Sequence, residues 1–289
     1  MAEPRVLVLR APGTNCDEET AYAFGLAGGR ADRVHVNRLL DGSLRLADYQ
    51  ILCLPGGFSY GDDIAAGRIL GTQLRHHLAG ALAEFKAAGK LILGICNGFQ
   101  ILMRSGLLLD DEPPHGPPAT LTWNDSRHFE ARWVTLRCEP SKAIFFAGLD
   151  TLELPVAHAE GRFVVRDASV LKRLEQEGRV VLRYHASSPG AAADNPPSAA
   201  VPNQTAAAGH GPRVPYPANP NGSHGDVAGI CDATGRVCGL MPHPERFVDA
   251  LQHPRWSREG TGRQGTAQPS TAQPGAGLAV FQNAVRYFA

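Results

Sequence analysis

The stretch Leu91-Ile-Leu-Gly-Ile-Cys-Asn-Gly-Phe-Gln-Ile-Leu-Met103 carries an apolar run straight into a helical pattern. A run apolar on both faces belongs to a strand inside a parallel sheet that helices cover on each side. Gly94-x-Cys96-x-Gly98 sits at the joint, where glycines leave steric room for a tight strand-to-helix turn. That is a nucleophile elbow with cysteine in the place of serine. It pushes Cys96 into the open above the sheet edge and sets its thiol at a helix N-terminus, where free N–H groups and the dipole favour the thiolate. Taken alone, the pattern also fits a buried structural cysteine, the reading given to Cys53 on its own apolar strand.

Working outward, Val6 to Leu9, Val34 to Val36 and Ile51 to Leu54 are equally short and apolar, and Asp17 to Ala27 and Gly71 to Ala88 between them have helical periodicity. Thr14 and Asn15 are candidate caps for the first helix, with Glu18 completing a capping box. The β-α-β-α order predicts an α/β fold, a three-layer doubly wound and mostly parallel sheet. From about Leu121 the runs Phe129 to Arg137, Leu152 to His158, Arg162 to Val165 and Arg179 to Tyr184 predict antiparallel additions, with one helix over Ala168 to Glu177. Residues 186–215 hold 21 Ala, Pro, Gly or Ser out of 30, too little apolar surface to offset ordering entropy. They and residues 257–277 are expected to be disordered insertions within a single domain of residues 1–289, before an amphipathic helix over Leu278 to Phe288.

Composition excludes several functions. Twenty-eight Lys+Arg balance 28 Asp+Glu, so the basic footprint of a nucleic-acid binder is absent. No apolar run approaches the roughly 18 residues of a membrane span. Six cysteines in 289 residues, none in a C-x-x-C pair, suit reduced thiols rather than a disulfide framework or a zinc site. A soluble cytoplasmic protein without a metal is expected. Gly89-Lys90 is followed by Leu91, so a nucleotide P-loop is missing as well.

Two further segments can serve Cys96. In Gly239-Leu-Met-Pro-His-Pro-Glu-Arg246 the prolines restrict the backbone around His243, and Glu245 stands two residues on. A cysteine nucleophile needs a base, and the base needs a group that orients it. In Leu54-Pro-Gly-Gly-Phe-Ser-Tyr-Gly-Asp62 a Gly-Gly turn follows a strand at its C-terminal end, the edge at which open α/β sheets bind ligands. Backbone N–H groups exposed there can stabilise an oxyanion, worth on the order of 100- to 1000-fold per donor. Each segment has a bland reading too, a Pro-rich loop with a surface histidine or an ordinary glycine turn.

Together they resemble the class I, triad-type glutamine amidotransferases. Pro12-Gly-Thr-Asn-Cys-Asp17, Pro55 to Asp62, Gly94 to Gln100, Phe129 to Val134, Asn219-Pro-Asn-Gly-Ser223 and Met241 to Arg246 are similar, more narrowly, to the family of glutaminase subunits of phosphoribosylformylglycinamidine synthases in purine biosynthesis. The resemblance implies the flavodoxin-like fold of that class and glutamine hydrolysis through a cysteine thioester. Cys96 would be the nucleophile, His243 the base and then the acid for ammonia, and Glu245 its orienting partner. N–H groups around Gly57 or Phe58 and of Asn97 would form the oxyanion hole, Gln100 would contact L-glutamine, and residues 124–129 would close the pocket. It also implies a partner, the large synthetase subunit that holds ATP and magnesium and receives the ammonia, together with a small third subunit; this chain would bind no cofactor. One departure is Ala159 in His158-Ala-Glu-Gly161, where the family usually has glycine. A free-standing γ-glutamyl hydrolase and an inactive scaffold of the same fold are the competing readings.

Overall fold

The computed structural model describes residues 3–186, 211–259 and 274–289. Five strands, β1 (Arg5–Arg10), β2 (Arg30–His35), β3 (Ile51–Leu54), β4 (Leu91–Ile95) and β11 (Val237–Leu240), run parallel in the order β2-β1-β3-β4-β11. β3, β4 and β11 are buried along their whole length, which is why they read as unbroken apolar runs. The sheet continues antiparallel through β10 (Val227–Cys231), β9 (Val180–His185), β6 (Glu130–Cys138) and β7 (Thr151–His158). The expected doubly wound α/β sheet with antiparallel additions is what forms. β5 (Ala119–Thr122) and β8 (Arg162–Val165) instead pair with one another in a separate ribbon, so the run at Arg162 does not extend the main sheet.

Helices cover both faces. α1 (Asp17–Leu26) packs on α8 (Leu278–Arg286), with the Phe24 and Phe281 rings edge to face at 4.9 Å. α5 (Asn97–Ser105) packs on β3, β4, β11 and α3 (Arg68–His77). α4 (Ala79–Ala87) follows, α6 (Ala168–Gln176) is capped by Asp167, and α2 (Asn37–Leu40) and α7 (Trp256–Glu259) are single turns. The single helix expected over Gly71 to Ala88 is thus two, broken at Leu78, whose φ is −120°. The pattern hides this break because Leu74, Leu78 and Leu82 are all buried and keep a four-residue spacing across it.

The cap of α1 also differs. Cys16 is the N-cap and makes no side-chain capping bond, while the Thr14 hydroxyl accepts from the Ala11 N–H. Of the two Gly/Ala/Pro-rich stretches, most lies outside the described residues. Their C-terminal ends are placed: the N–H groups of Arg213 and Val214 donate to the Asp226 carboxylate, and those of Gly275 and Gly277 donate to the carbonyls of Val248 and Phe247.

Candidate active site

Cys96 occupies the turn between β4 and α5 with φ 51° and ψ −105°, a conformation that costs a non-glycine residue of order 1–3 kcal/mol. The surroundings enforce it. A Cβ on Gly98 would stand 1.8 Å from the Leu54 carbonyl oxygen, and one on Gly94 would stand 2.6 Å from that of Gly98, so the strand and helix meet only because both residues lack side chains. The Cys96 N–H donates to the Leu240 carbonyl at 2.8 Å, and its own carbonyl accepts from Phe99 and Gln100. That ties the apex to β11 on one side and to the first turn of α5 on the other.

β11 delivers the candidate base. Three residues past its end, His243 is 2% exposed, its N–H donates to the Pro155 carbonyl of β7, and its Nδ1 lies 2.6 Å from Glu245 Oε1. Burial alone would push this imidazole down, but the facing charges of Glu245 and of Cys96 hold it well above the usual histidine range. Glu245 is 1% exposed, so the pair is dry. Cys96, His243 and Glu245 are therefore brought together as the sequence predicts, from β4 and from the loop after the neighbouring β11.

The oxyanion loop needs one revision. Gly57 forms an isolated bridge with Thr14, made through the Phe58 N–H, which donates to the Gly13 carbonyl at 2.9 Å. Phe58 is hence not a free backbone donor, although it lines the pocket. The N–H groups of Gly57 and of Asn97, at the start of α5, meet no acceptor among the described residues and are the pair left for an oxyanion. Gly57 has φ 143°, and a Cβ there would come within 2.8 Å of the Asn15 nitrogen. The Asn97 side chain fastens the loop, accepting from the Ser59 N–H and donating to Asp62 and to Gln100 Oε1.

Cys96 opens on a cleft lined also by Gly57, Phe58, Gln100, His158 and Glu160. Gln100 Nε2 donates to the Glu160 carbonyl at 2.6 Å, so this side chain both borders the cleft and holds the loop 158–161. Asn124 holds the same loop from behind: its Nδ2 donates to the carbonyls of His128 and His158, and its Oδ1 accepts from the Gly161 N–H. Residues 124–129 therefore buttress the wall of the pocket; Phe129 is half exposed and does not line it. Ala159 lines the cleft and has no positive φ, so the backbone does not require glycine there.

Sequence reasoning missed four groups. Burial pushes His158 down to about 3, with the charge of His243 adding to the effect. Burial lifts the Asp62 carboxyl to about 6 despite hydrogen bonds from Gly67 and Asn97. Glu160 faces it across the cleft and raises it further. Cys16 lies behind the imidazole, where it receives a hydrogen bond from Arg246 Nη2 at 3.1 Å. Its sulfur, a His243 nitrogen and a Glu245 oxygen fall within 4.8 Å of one another, a spacing that could accept a metal. The Arg246 guanidinium already supplies the positive charge there, and His243 and Glu245 are taken up by each other. All four groups stood inside quoted motifs, but nothing in residue type or spacing sets them apart.

Comparisons with known proteins give the family. Residues 3–288 match the CobB/CobQ-like glutamine amidotransferase domain. The chain is 42% identical over 288 residues to the phosphoribosylformylglycinamidine synthase subunit PurQ of Dehalococcoides mccartyi, covering 99% of this chain and 98% of that protein. It is 38% identical over 286 residues to the subunit PurQ of Methanococcus maripaludis, covering 99% and 97%. Among solved structures it is similar to a chain of PurLQS from Thermotoga maritima, with a TM-score of 0.67, 30% identity and full coverage of both. The elbow cysteine, the histidine after the neighbouring strand and the full-length likeness lead to one conclusion: this chain belongs to the glutamine amidotransferase family, in the branch of the PurQ subunits of phosphoribosylformylglycinamidine synthase.

Proposed function

We propose that this chain is the glutaminase subunit of a phosphoribosylformylglycinamidine synthase, which hydrolyses L-glutamine and hands ammonia to an ATP-dependent synthetase subunit. The observation that carries the reading is Cys96 opening on a cleft with the buried His243 and Glu245 pair beside it, in a chain matched end to end by PurQ subunits. Cys96 Sγ gives its proton to His243 and attacks the carboxamide carbon. The oxygen of the tetrahedral intermediate takes the charge toward the N–H groups of Gly57 and Asn97. His243, held cationic by Glu245, returns the proton to the leaving nitrogen, and ammonia departs from a glutamyl thioester. Water, deprotonated by His243, then hydrolyses the thioester to glutamate and restores the thiol.

ATP and magnesium would sit on the synthetase partner, and a small third subunit would complete the assembly, as the name PurLQS suggests for the Thermotoga maritima structure. No helix among the described residues is long and apolar enough to cross a membrane, in keeping with a cytoplasmic biosynthetic complex. To test the reading, the chain is treated with 6-diazo-5-oxonorleucine, and glutamine turnover is measured alone and with the synthetase of the same host. Selective alkylation of Cys96 and turnover that rises on adding the synthetase support it. Turnover that is full without a partner would identify a free-standing hydrolase, and an unlabelled Cys96 would leave a scaffold.

A further inference from the structure

The hairpin that precedes the catalytic histidine carries two cysteines the reaction does not use. Cys231 on β10 and Cys238 on β11 are direct cross-strand partners, and both are free thiols. The Asp232 N–H donates to the Val237 carbonyl at 2.9 Å, which makes Cys231 and Cys238 a non-hydrogen-bonded pair of the antiparallel ladder. Such pairs bring their Cα atoms to about 4.5 Å and point both side chains to one face. Disulfides span roughly 4.4–6.8 Å between Cα atoms, so a pair of this kind is within bridging range.

The two thiols also differ chemically. Cys231 is lowered, by its interaction with the Cys238 thiol against the effect of burial, while burial holds Cys238 well above the usual thiol range. Arg179 assists Cys231: its guanidinium favours the thiolate, and its Nε donates to the Cys231 carbonyl. The arrangement is an attacking thiol beside a resolving thiol. The hairpin turn next to it, at Ala233 and Thr234, is exposed, and a hydroperoxide is little larger than water.

We propose that Cys231 and Cys238 are a redox-modification site that closes to a cross-strand disulfide on exposure to a hydroperoxide. The Cys231 thiolate attacks the peroxide oxygen, breaking the O–O bond to give a sulfenic acid and hydroxide, which takes up a proton. Cys238 sulfur then displaces the hydroxyl of that sulfenic acid as water, and the net change is two thiols plus hydrogen peroxide to one disulfide plus two waters. Thiol–disulfide exchange with an excess of a small thiol reopens the bond. β11 leads through Met241 to His243, so the disulfide would tie the strand that presents the catalytic base to its neighbour.

The test is peptide mapping of the full-length chain. Trypsin cuts after Arg236 and separates residues 214–236, which hold Cys231, from residues 237–246, which hold Cys238. After hydrogen peroxide treatment, unfolding and alkylation of the remaining thiols, the two peptides are expected as one linked species lacking two hydrogens. The species disappears on dithiothreitol treatment, and it does not form in Cys238→Ala. Because the first readout uses the wild-type chain, poor folding of the variant would not obscure it. Recovery of both cysteines fully alkylated, under conditions that oxidise Cys96, would overturn the proposal.

Discussion

Glu245 Oε1 stands 2.6 Å from His243 Nδ1, and Pro242 and Pro244 flank the histidine between them. The carboxylate fixes which imidazole nitrogen carries its proton and so which one faces the thiol. Glu245→Gln keeps the size of the side chain but replaces the charge, so the imidazole loses both its tautomer control and the force that holds it cationic. Turnover of glutamine is expected to fall by on the order of 10²- to 10⁴-fold, with the thermal midpoint little changed. Steady-state kinetics beside a melting curve check this, and near-normal kcat would remove Glu245 from the mechanism.

Gly98 sits where a Cβ would meet the Leu54 carbonyl oxygen at 1.8 Å. Backbone cannot move aside as a flexible side chain can, so Gly98→Ala is expected to cost roughly 3 kcal/mol or more by overpacking. Chemical denaturation measures it. A loss below about 1 kcal/mol would mean that the elbow is looser than described.

Ala159 offers the opposite case. Its φ is not positive, so Ala159→Gly relieves no strain and adds freedom to the unfolded chain. The substitution should lower stability by about 0.4–1 kcal/mol and leave kcat within a factor of a few. A marked gain in turnover would show instead that the methyl obstructs the cleft.

The pH dependence of stability should carry the mark of His158. Its folded pKa of about 3 lies below the value of 6.5 it has when unfolded, so between these the unfolded chain binds the extra proton. Its contribution is complete above pH 6.5 and is lost as pH falls through that window, by several kcal/mol at about 1.4 kcal/mol per unit. Asp62, raised to about 6, works the other way but is only half buried. His243, held high by Glu245, also works the other way, so the mark of His158 is a difference: urea denaturation at pH 7.5 and pH 5 should show a smaller loss, or a larger gain, on acidification in His158→Gln than in wild type. The same change with pH in both proteins would assign the pH dependence to other groups.

Much of this was legible in the sequence, for physical reasons. β3 and β4 are buried on both faces, and their apolar runs carry the observed boundaries, Ile51–Leu54 and Leu91–Ile95. The elbow was legible because only glycine tolerates the close approaches at positions 94 and 98. β10 was not, since Val227–Cys231 follows a long Pro- and Gly-rich stretch and contains a glycine of its own. Nor could spacing show that Phe58 spends its N–H on Gly13, or that Asn124 braces the loop 158–161, because both depend on segments far apart in the chain. The raised carboxyl of Asp62 depends on partial burial in a cleft shared with Glu160, which residue type does not encode.

On the proposed function, Cys96 serves ammonia supply and takes no part in the ATP-dependent step. The most direct measurement combines this chain with its host's synthetase, ATP, magnesium and phosphoribosylformylglycinamide, with glutamine or ammonium as nitrogen donor, for wild type and Cys96→Ala. Amidation from glutamine should vanish in Cys96→Ala while amidation from ammonium remains at the wild-type rate. Glutamine-dependent product that survives the substitution would contradict the thioester mechanism and the assignment of this site.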